Sequence, residues 1–229
     1  MEKGLTNNQL KLIALVSMTV DHVGMVLFPK LLWLRLIGRL AFPIFAYMIA
    51  EGCRHTKGMP RYLGTLAASA AVCQLVYFFV MGSLYQCIMV TFACAVGIIA
   101  LIRRAQQTKK RYWWALAALG IAAAFFAAQL LPGLLPETDF GIDYGFEGIM
   151  LPVVVYLCPK RWRLAVMVPM LALVTLGGWE GQWMALAALP LLACYNGNRG
   201  ALNLKWLFYI YYPAHLVALQ ALALLLGKA

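Results

Sequence analysis

Four ionisable residues lie in stretches otherwise apolar enough for a lipid bilayer. They are Asp21 and His22 in LIALVSMTVDHVGMVLF, and Arg35 and Arg39 in LLWLRLIGRLAFPIFAYMIA, which Glu51 follows. A neutral imidazole takes a proton from an amine or hydroxyl near pH 7, so His22 has the chemistry of a general base. The alternative is a histidine that only hydrogen-bonds a neighbouring helix. Asp21 lies about 100° around a helix from His22, so these two do not face each other. Asp21 is expected to pair with Arg39 or Arg35, as part of a site or as a lock between two helices. Unpaired, each Asp or Arg at membrane depth costs roughly 2.5–3.5 kcal/mol, and three cost on the order of 8–10 kcal/mol. The break at Pro29-Lys30 is short, which predicts antiparallel neighbours. At about 1.5 Å per residue, His22 and Arg39 then lie roughly 10 and 12 Å below the outer ends of their helices, at one depth.

Arg35, Gly38, Arg39 and Phe42 fall on one helix face. Arg35 is near the outer end and could snorkel to headgroups, whereas Arg39 is too deep to do so. Gly38 permits close helix approach. His215 lies in FYIYYPAHL, near the middle of the last apolar stretch, with Tyr211 one turn before it. Its depth overlaps that of His22, and it is either a partner in the chemistry or a satisfied core histidine. Glu51 with Arg54 and His55 reads as a local surface cluster or as part of a cytoplasmic ligand entrance. The run RRAQQTKKR at 103–111 carries membrane orientation or meets an anionic head such as a nucleotide phosphate.

These residues belong to a chain of 229 amino acids, 64% hydrophobic and 12% charged, with a mean hydropathy of +0.80. Soluble domains are about 45–50% apolar and about 25% charged. The expectation is a single all-α domain over 1–229, a polytopic membrane helical bundle, with no removable signal peptide. Nine spans are expected, at about 10–28, 31–50, 62–81, 84–102, 112–131, 145–158, 163–178, 182–195 and 204–226, with the sixth to eighth short.

The net charge of +11 does not imply nucleic-acid binding. Fifteen of the nineteen Lys and Arg residues fall in one set of alternate loops: Lys3, Lys11, Arg54, Lys57, Arg61, Arg103, Arg104, Lys109, Lys110, Arg111, Lys160, Arg161, Arg163, Arg199 and Lys205. The opposite loops hold Lys30, Lys228 and five acids. The positive-inside rule then puts the N-terminus in the cytoplasm. The six cysteines form no Cys-x-x-Cys pair and read as small packing residues, with no metal site. Prolines 43, 152, 169, 190 and 213 interrupt spans as kinks or as openings of backbone toward a cavity. The segment from Leu131 to Phe146 is the one sizeable outer loop, acidic and rich in Gly and Pro, expected near the mouth of the site. No internal repeat is evident, which weighs against an inverted-repeat transporter.

Five stretches in this order resemble the TraX family of bacterial membrane proteins: LKLIALVSMTVDHVGMVLF, LRLIGRLAFPIFAYMIAEG, DYGFEGIMLP, YNGNRG and FYIYYPAHL. The family is named for the F-type conjugation protein that acetylates the pilin N-terminus. It is more distantly similar to acyltransferase-3 proteins and heparan-α-glucosaminide N-acetyltransferase, which carry an essential His in an early helix and use cytoplasmic acetyl-CoA. The resemblance marks Asp21, His22, Arg35, Arg39, Glu51, Asp143, Tyr144, Gly145, Asn196, Lys205, Tyr212 and His215 as motif positions. It implies a multi-pass enzyme of the cytoplasmic (inner) membrane, moving an acetyl group from acetyl-CoA to an outer amine or hydroxyl of a peptide or glycan, with membrane lipids around it.

In that reading His22, Asp21, Arg39 and His215 carry the chemistry. Arg35, Glu51, Arg54, Lys57, Arg61 and Lys205 hold acetyl-CoA, and Asp143, Tyr144 and Tyr212 meet the acceptor. A transporter or flippase with an Asp/Arg/His path, or an assembly protein with the charges as helix locks, is the alternative.

Overall fold

The computed structural model describes residues 4–177, 179–201 and 204–227, with backbone alone at 205 and 206. The sequence expectations at Lys3, Lys228 and the Lys205 side chain therefore lie outside the described residues. The fold is helical, and the extended pairing among the described residues is confined to two isolated bridges, Leu5 with Tyr195 and Gln86 with Ile142. The helices are α1 (Asn7–Val26), α2 (Leu32–Gly38), α3 (Ala41–His55), α4 (Met59–Met81), α5 (Ile88–Thr108), α6 (Arg111–Phe125), α7 (Leu131–Leu134), α8 (Gly145–Leu157), α9 (Arg163–Leu176), α10 (Ala188–Ala193) and α11 (Lys205–Leu225). A 3₁₀ helix at Glu180–Ala187 precedes α10.

Six helical segments among the described residues are long and apolar enough to cross a membrane: Asn7–Val26, Leu32–His55, Met59–Met81, Ile88–Thr108, Arg111–Leu134 and Leu207–Leu225. Gly145–Leu157 is a shorter apolar helix. Six to seven of the nine expected spans are thus supported among the described residues. The difference lies in the sixth, seventh and eighth stretches, which form α8 of 13 residues, α9 of 14 residues, and the 3₁₀ helix with a six-residue α10. Thirteen or fourteen helical residues reach only about 20 Å, against about 30 Å of hydrocarbon. Hydropathy alone does not register where a helix stops, and these stretches stop early.

The second expected span also differs in its interior. It is continuous in position but broken between α2 and α3, after Gly38. Pro43 explains the place. It has no N–H to offer the Arg39 carbonyl four residues earlier, and its ring crowds that carbonyl. Here Arg39 N–H and Leu40 N–H bond three residues back, to the Leu36 and Ile37 carbonyls. Pro132 acts alike on the fifth span, where the helix widens into a π turn at Phe126–Leu130.

The chain divides into two compact units, one of Met1–Met48 with Lys160–Ala229 and one of Ile49–Pro159. In the first unit α1 packs against α2 and α11. Thr6 caps α1 in a reciprocal capping box with Gln9. Two further free donors at this helix start are taken by the YNGNRG segment: Asn7 N–H donates to the Asn198 carbonyl (2.8 Å) and Asn8 N–H to that of Arg199 (3.1 Å). Asn196 N–H in turn donates to the Leu5 carbonyl (3.0 Å), so this motif holds the entry to α1.

The α1–α2 pair is close because glycines stand at both ends of the contact. A Cβ on Gly24 would come within 2.7 Å of the Leu34 Cβ, and one on Gly38 would overlap the Asp21 carboxylate. In the second unit α5 is central and packs against α4, α6 and α8. The loop before α8 is tied to the α4–α5 connection. Gln86 N–H donates to the Gly141 carbonyl (2.7 Å) and Asp143 N–H to that of Gln86 (3.0 Å). Asp139 accepts from the Ser83 hydroxyl and from Leu84 N–H, which together hold its carboxyl below the usual range.

Gly38→Ala is expected to force α1 and α2 apart and to lower unfolding free energy by about 1–3 kcal/mol. Denaturant titration in detergent checks it; unchanged stability would mean that the two helices have slack at this contact.

Candidate functional site

The first unit gathers most of the residues that sequence reasoning selected. Asp21 is held by both arginines. Its Oδ1 lies 2.7 Å from Arg39 Nη2, and its Oδ2 lies 2.9 Å from Arg39 Nη2 and from Arg35 Nη1. Arg35 therefore does not simply snorkel; its guanidinium turns inward to Asp21, with 26% of its side chain exposed. Arg39 also donates through Nε to the Arg35 carbonyl (3.2 Å) and through Nη1 to Gln182 Oε1 (3.1 Å). Break and cluster are linked, because Arg39 stands in the C-cap position of α2. Cations at a helix C-terminus oppose its partial negative charge.

His22, one residue on, turns to α11. Its Nδ1 lies 2.8 Å from His215 Nε2, and His215 Nδ1 lies 2.9 Å from the Tyr211 carbonyl oxygen. A carbonyl only accepts, so His215 Nδ1 carries a proton. With both rings neutral, His215 Nε2 is then an acceptor, and the proton between the rings belongs to His22 Nδ1. That leaves the His22 lone pair on Nε2, for which no hydrogen-bond partner stands among the described residues. The network thus assigns the tautomer that a general base or nucleophile needs.

Tyr211 stacks on His215 with centroids 5.1 Å apart. Its hydroxyl lies 2.8 Å from Thr19 Oγ1. Since Thr19 donates its own proton to the Leu15 carbonyl (2.8 Å), Tyr211 is the donor in this contact. The His22–His215 contact therefore has a second tie between α1 and α11 one turn away. Tyr212, expected to meet the acceptor, is buried edge-on to both imidazoles, at 6.0 Å from His22 and 5.4 Å from His215. Arg35 and Arg39 both lie within electrostatic reach of His22, so the carboxylate–guanidinium cluster neighbours the imidazole pair along α1.

Sequence reasoning missed Thr19 and Gln182. Gln182 is 4% exposed, and its Nε2 is buried with no hydrogen-bond partner among the described residues. An unmet buried donor of this kind costs about 1–3 kcal/mol. The available signal was a lone amide in the apolar run GQWMALAALP.

The second unit holds the other selected residues. Glu51 is buried rather than part of a surface cluster, with Arg54 at 3.8 Å and His55 at 3.5 Å. Arg54 Nη2 donates to the carbonyls of Val155 (2.9 Å), Tyr156 and Cys158 (2.7 Å), closing the C-terminal end of α8. Arg103 Nη1 does the same for α3, donating to the Cys53 and Thr56 carbonyls at 3.0 Å each. Arg54, Arg103, Gln106, Tyr156 and Leu157 line a cavity of ≈ 330 Å³. Its two guanidiniums suit phosphate oxygens. Lys57 and Arg61 are exposed.

Asp143 accepts from Tyr85 O–H (3.3 Å), and its backbone carbonyl accepts from Thr91 O–H (2.7 Å). Burial, then the Asp143 carboxylate, pushes the Tyr85 phenol up. Tyr144 has φ 60°, a left-handed conformation costly for a non-glycine residue, and Gly145 follows with φ 63°. A Cβ on Gly148 would overlap Tyr144, so the glycine makes room for it.

The TraX protein family model matches residues 6–223. The chain is 25% identical over 244 residues to a probable fimbrial assembly protein, FimC of serogroup H1, from Dichelobacter nodosus, covering 92% of this chain and 93% of the relative. It is 25% identical over 229 residues to Protein TraX of Escherichia coli, covering 94% and 86%. An uncharacterized protein, RP591, of Rickettsia prowazekii (strain Madrid E) shares 48% identity over 44 residues, 18% of each chain. No solved structure matches.

Asp21→Asn leaves two inward guanidiniums without their carboxylate and is expected to cost about 3–5 kcal/mol of stability. Arg35→Gln keeps the Arg39–Asp21 pair and should cost less than Arg39→Gln; equal losses in denaturant titrations would place the two arginines on the same footing.

Proposed function

The chain belongs to the TraX family, and from that premise we propose that this multi-pass membrane protein is an acyltransferase, taking an acetyl group from cytoplasmic acetyl-CoA to an amine or hydroxyl beyond the membrane. The observation that carries the reading is the His22–His215 contact, which leaves a basic nitrogen on His22 inside the α1–α11 pair. His22 Nε2 takes the acceptor's proton as the acceptor attacks, and the imidazolium that forms keeps its Nδ1–H on His215. His215 is thus a positioning residue, and Asp21 orients Arg39 in the same way. Direct attack by His22 Nε2 on the acetyl carbon uses the same lone pair.

Acetyl-CoA supplies the acetyl group as an activated thioester. The guanidiniums lining the cavity of the second unit, Arg54 and Arg103, together with exposed Lys57 and Arg61, fit its anionic phosphates. Glu51 orients Arg54. Arg35 and Lys205 remain assigned to the donor, and Asp143, Tyr144 and Tyr212 to the acceptor. The bases before the first span and in and beside the loops after the second and fourth, at Lys3, Arg54, Lys57, Arg61, Arg103, Arg104, Lys109, Lys110 and Arg111, support a cytoplasmic N-terminus and residence in the cytoplasmic membrane. A relative named for fimbrial assembly favours a peptide N-terminus as acceptor over a glycan.

In proteoliposomes given labelled acetyl-CoA and a short peptide with a free N-terminus, wild-type protein should transfer label. His22→Ala should lower the rate by about 10²–10⁴. His215→Gln keeps an acceptor for His22 Nδ1–H and should retain more activity than His215→Leu. A folded His22→Ala protein that turns over like wild type refutes the base assignment.

A further inference from the structure

Gln182 is polar, buried and only half used. Arginine donates and does not accept, so the amide must turn Oε1 toward Arg39 Nη1, 3.1 Å away. This fixes the amide orientation and leaves the two Nε2 hydrogens buried with no acceptor among the described residues. Arg35 and Arg39 both bring guanidiniums to the Asp21 carboxylate beside this amide. Guanidiniums and an unmet donor, side by side, favour the same thing: an oxygen bearing negative charge. Gln182 is placed by the 3₁₀ helix Glu180–Ala187, which packs against α2 and so follows the Asp21–Arg39 geometry.

We propose that Gln182 Nε2 and the guanidinium cluster beside it form the oxyanion site, binding the acyl oxygen while it is negatively charged. The inference rests on the acyltransferase reading. In the step, the acceptor nitrogen or oxygen bonds to the thioester carbonyl carbon. The carbonyl π pair moves onto oxygen, where Gln182 N–H donates to it, and His22 Nε2 takes the acceptor's proton. The pair then returns to carbon, the C–S bond breaks with its electrons on sulfur, and His22 returns the proton to the thiolate. The products are the acylated acceptor and free thiol.

Gln182→Glu separates this role from a structural one. Glutamate still accepts from Arg39 and gives the second guanidinium a carboxylate, so a purely structural bridge would be kept or strengthened. The donor, however, is lost and a negative charge stands where the oxyanion would form. Gln182→Met removes the donor without adding charge and serves where the Glu variant fails to fold. With labelled acetyl-CoA and a free-amine peptide in proteoliposomes, either folded variant should lose about 10²–10³ in kcat with little change in KM for acetyl-CoA.

Transfer within about threefold of wild type in a folded variant would overturn the proposal. So would losses of activity that merely track losses of thermal stability in both variants, which mark a structural bridge. If wild type itself transfers no acetyl to a peptide or an amino sugar, the acyltransferase reading falls, and the oxyanion site with it. Transfer by wild type with unaffected Gln182 variants removes the oxyanion site alone.

Discussion

One carboxylate between two guanidiniums sets the geometry of the first unit. Asp21 cannot lie in an apolar helix without a counter-charge, and Arg35 and Arg39 cannot lie in the next one without a carboxylate. Their pairing demands that α1 and α2 approach closely, and Gly24 and Gly38 give the space. It also demands that the Arg39 side chain leave the run of a regular helix at the right point. Pro43 provides this by taking away the hydrogen bond that would have carried α2 into α3.

The cluster fixes more than two helices. Its extension through Gln182 brings in the 3₁₀ segment before α10, and its neighbour in sequence, His22, turns to α11. One helix, α1, thus presents a carboxylate to one side and an imidazole to another. The 100° step between adjacent residues, which rules out a direct Asp21–His22 dyad, is what lets Asp21 organise cations while His22 joins His215. Tyr211 serves α11 twice, through a side-chain hydroxyl on Thr19 and a backbone carbonyl on His215.

Several motif residues in this chain hold backbone. YNGNRG supplies carbonyls to the start of α1. Arg54 and Arg103 close helix ends while lining a cavity, so a basic residue near a helix end is not automatically a ligand site or an orientation signal. Tyr144 sits in a strained conformation between the tie of the 131–146 loop and the first turn of α8, with Gly148 cleared beneath it. Such strain is kept only where the surroundings impose it.

The sequence alone determined the helical membrane class, the Asp21–Arg pairing, the close approach at Gly38 and the shared depth of His22 and His215. Each follows from a local rule: hydropathy, the cost of a buried charge, helix periodicity or rise per residue. Tertiary structure decided the rest. The three short stretches lacked spanning length because helix ends are set by caps, prolines and neighbours that hydropathy does not weigh. The break before Arg39 lies four residues from its cause. The His22 tautomer depends on a backbone carbonyl of Tyr211, 189 positions away in the chain, and Gln182 acquires meaning only from the arginine beside it. Contacts at such separations are specified by packing, which no local pattern in the sequence encodes.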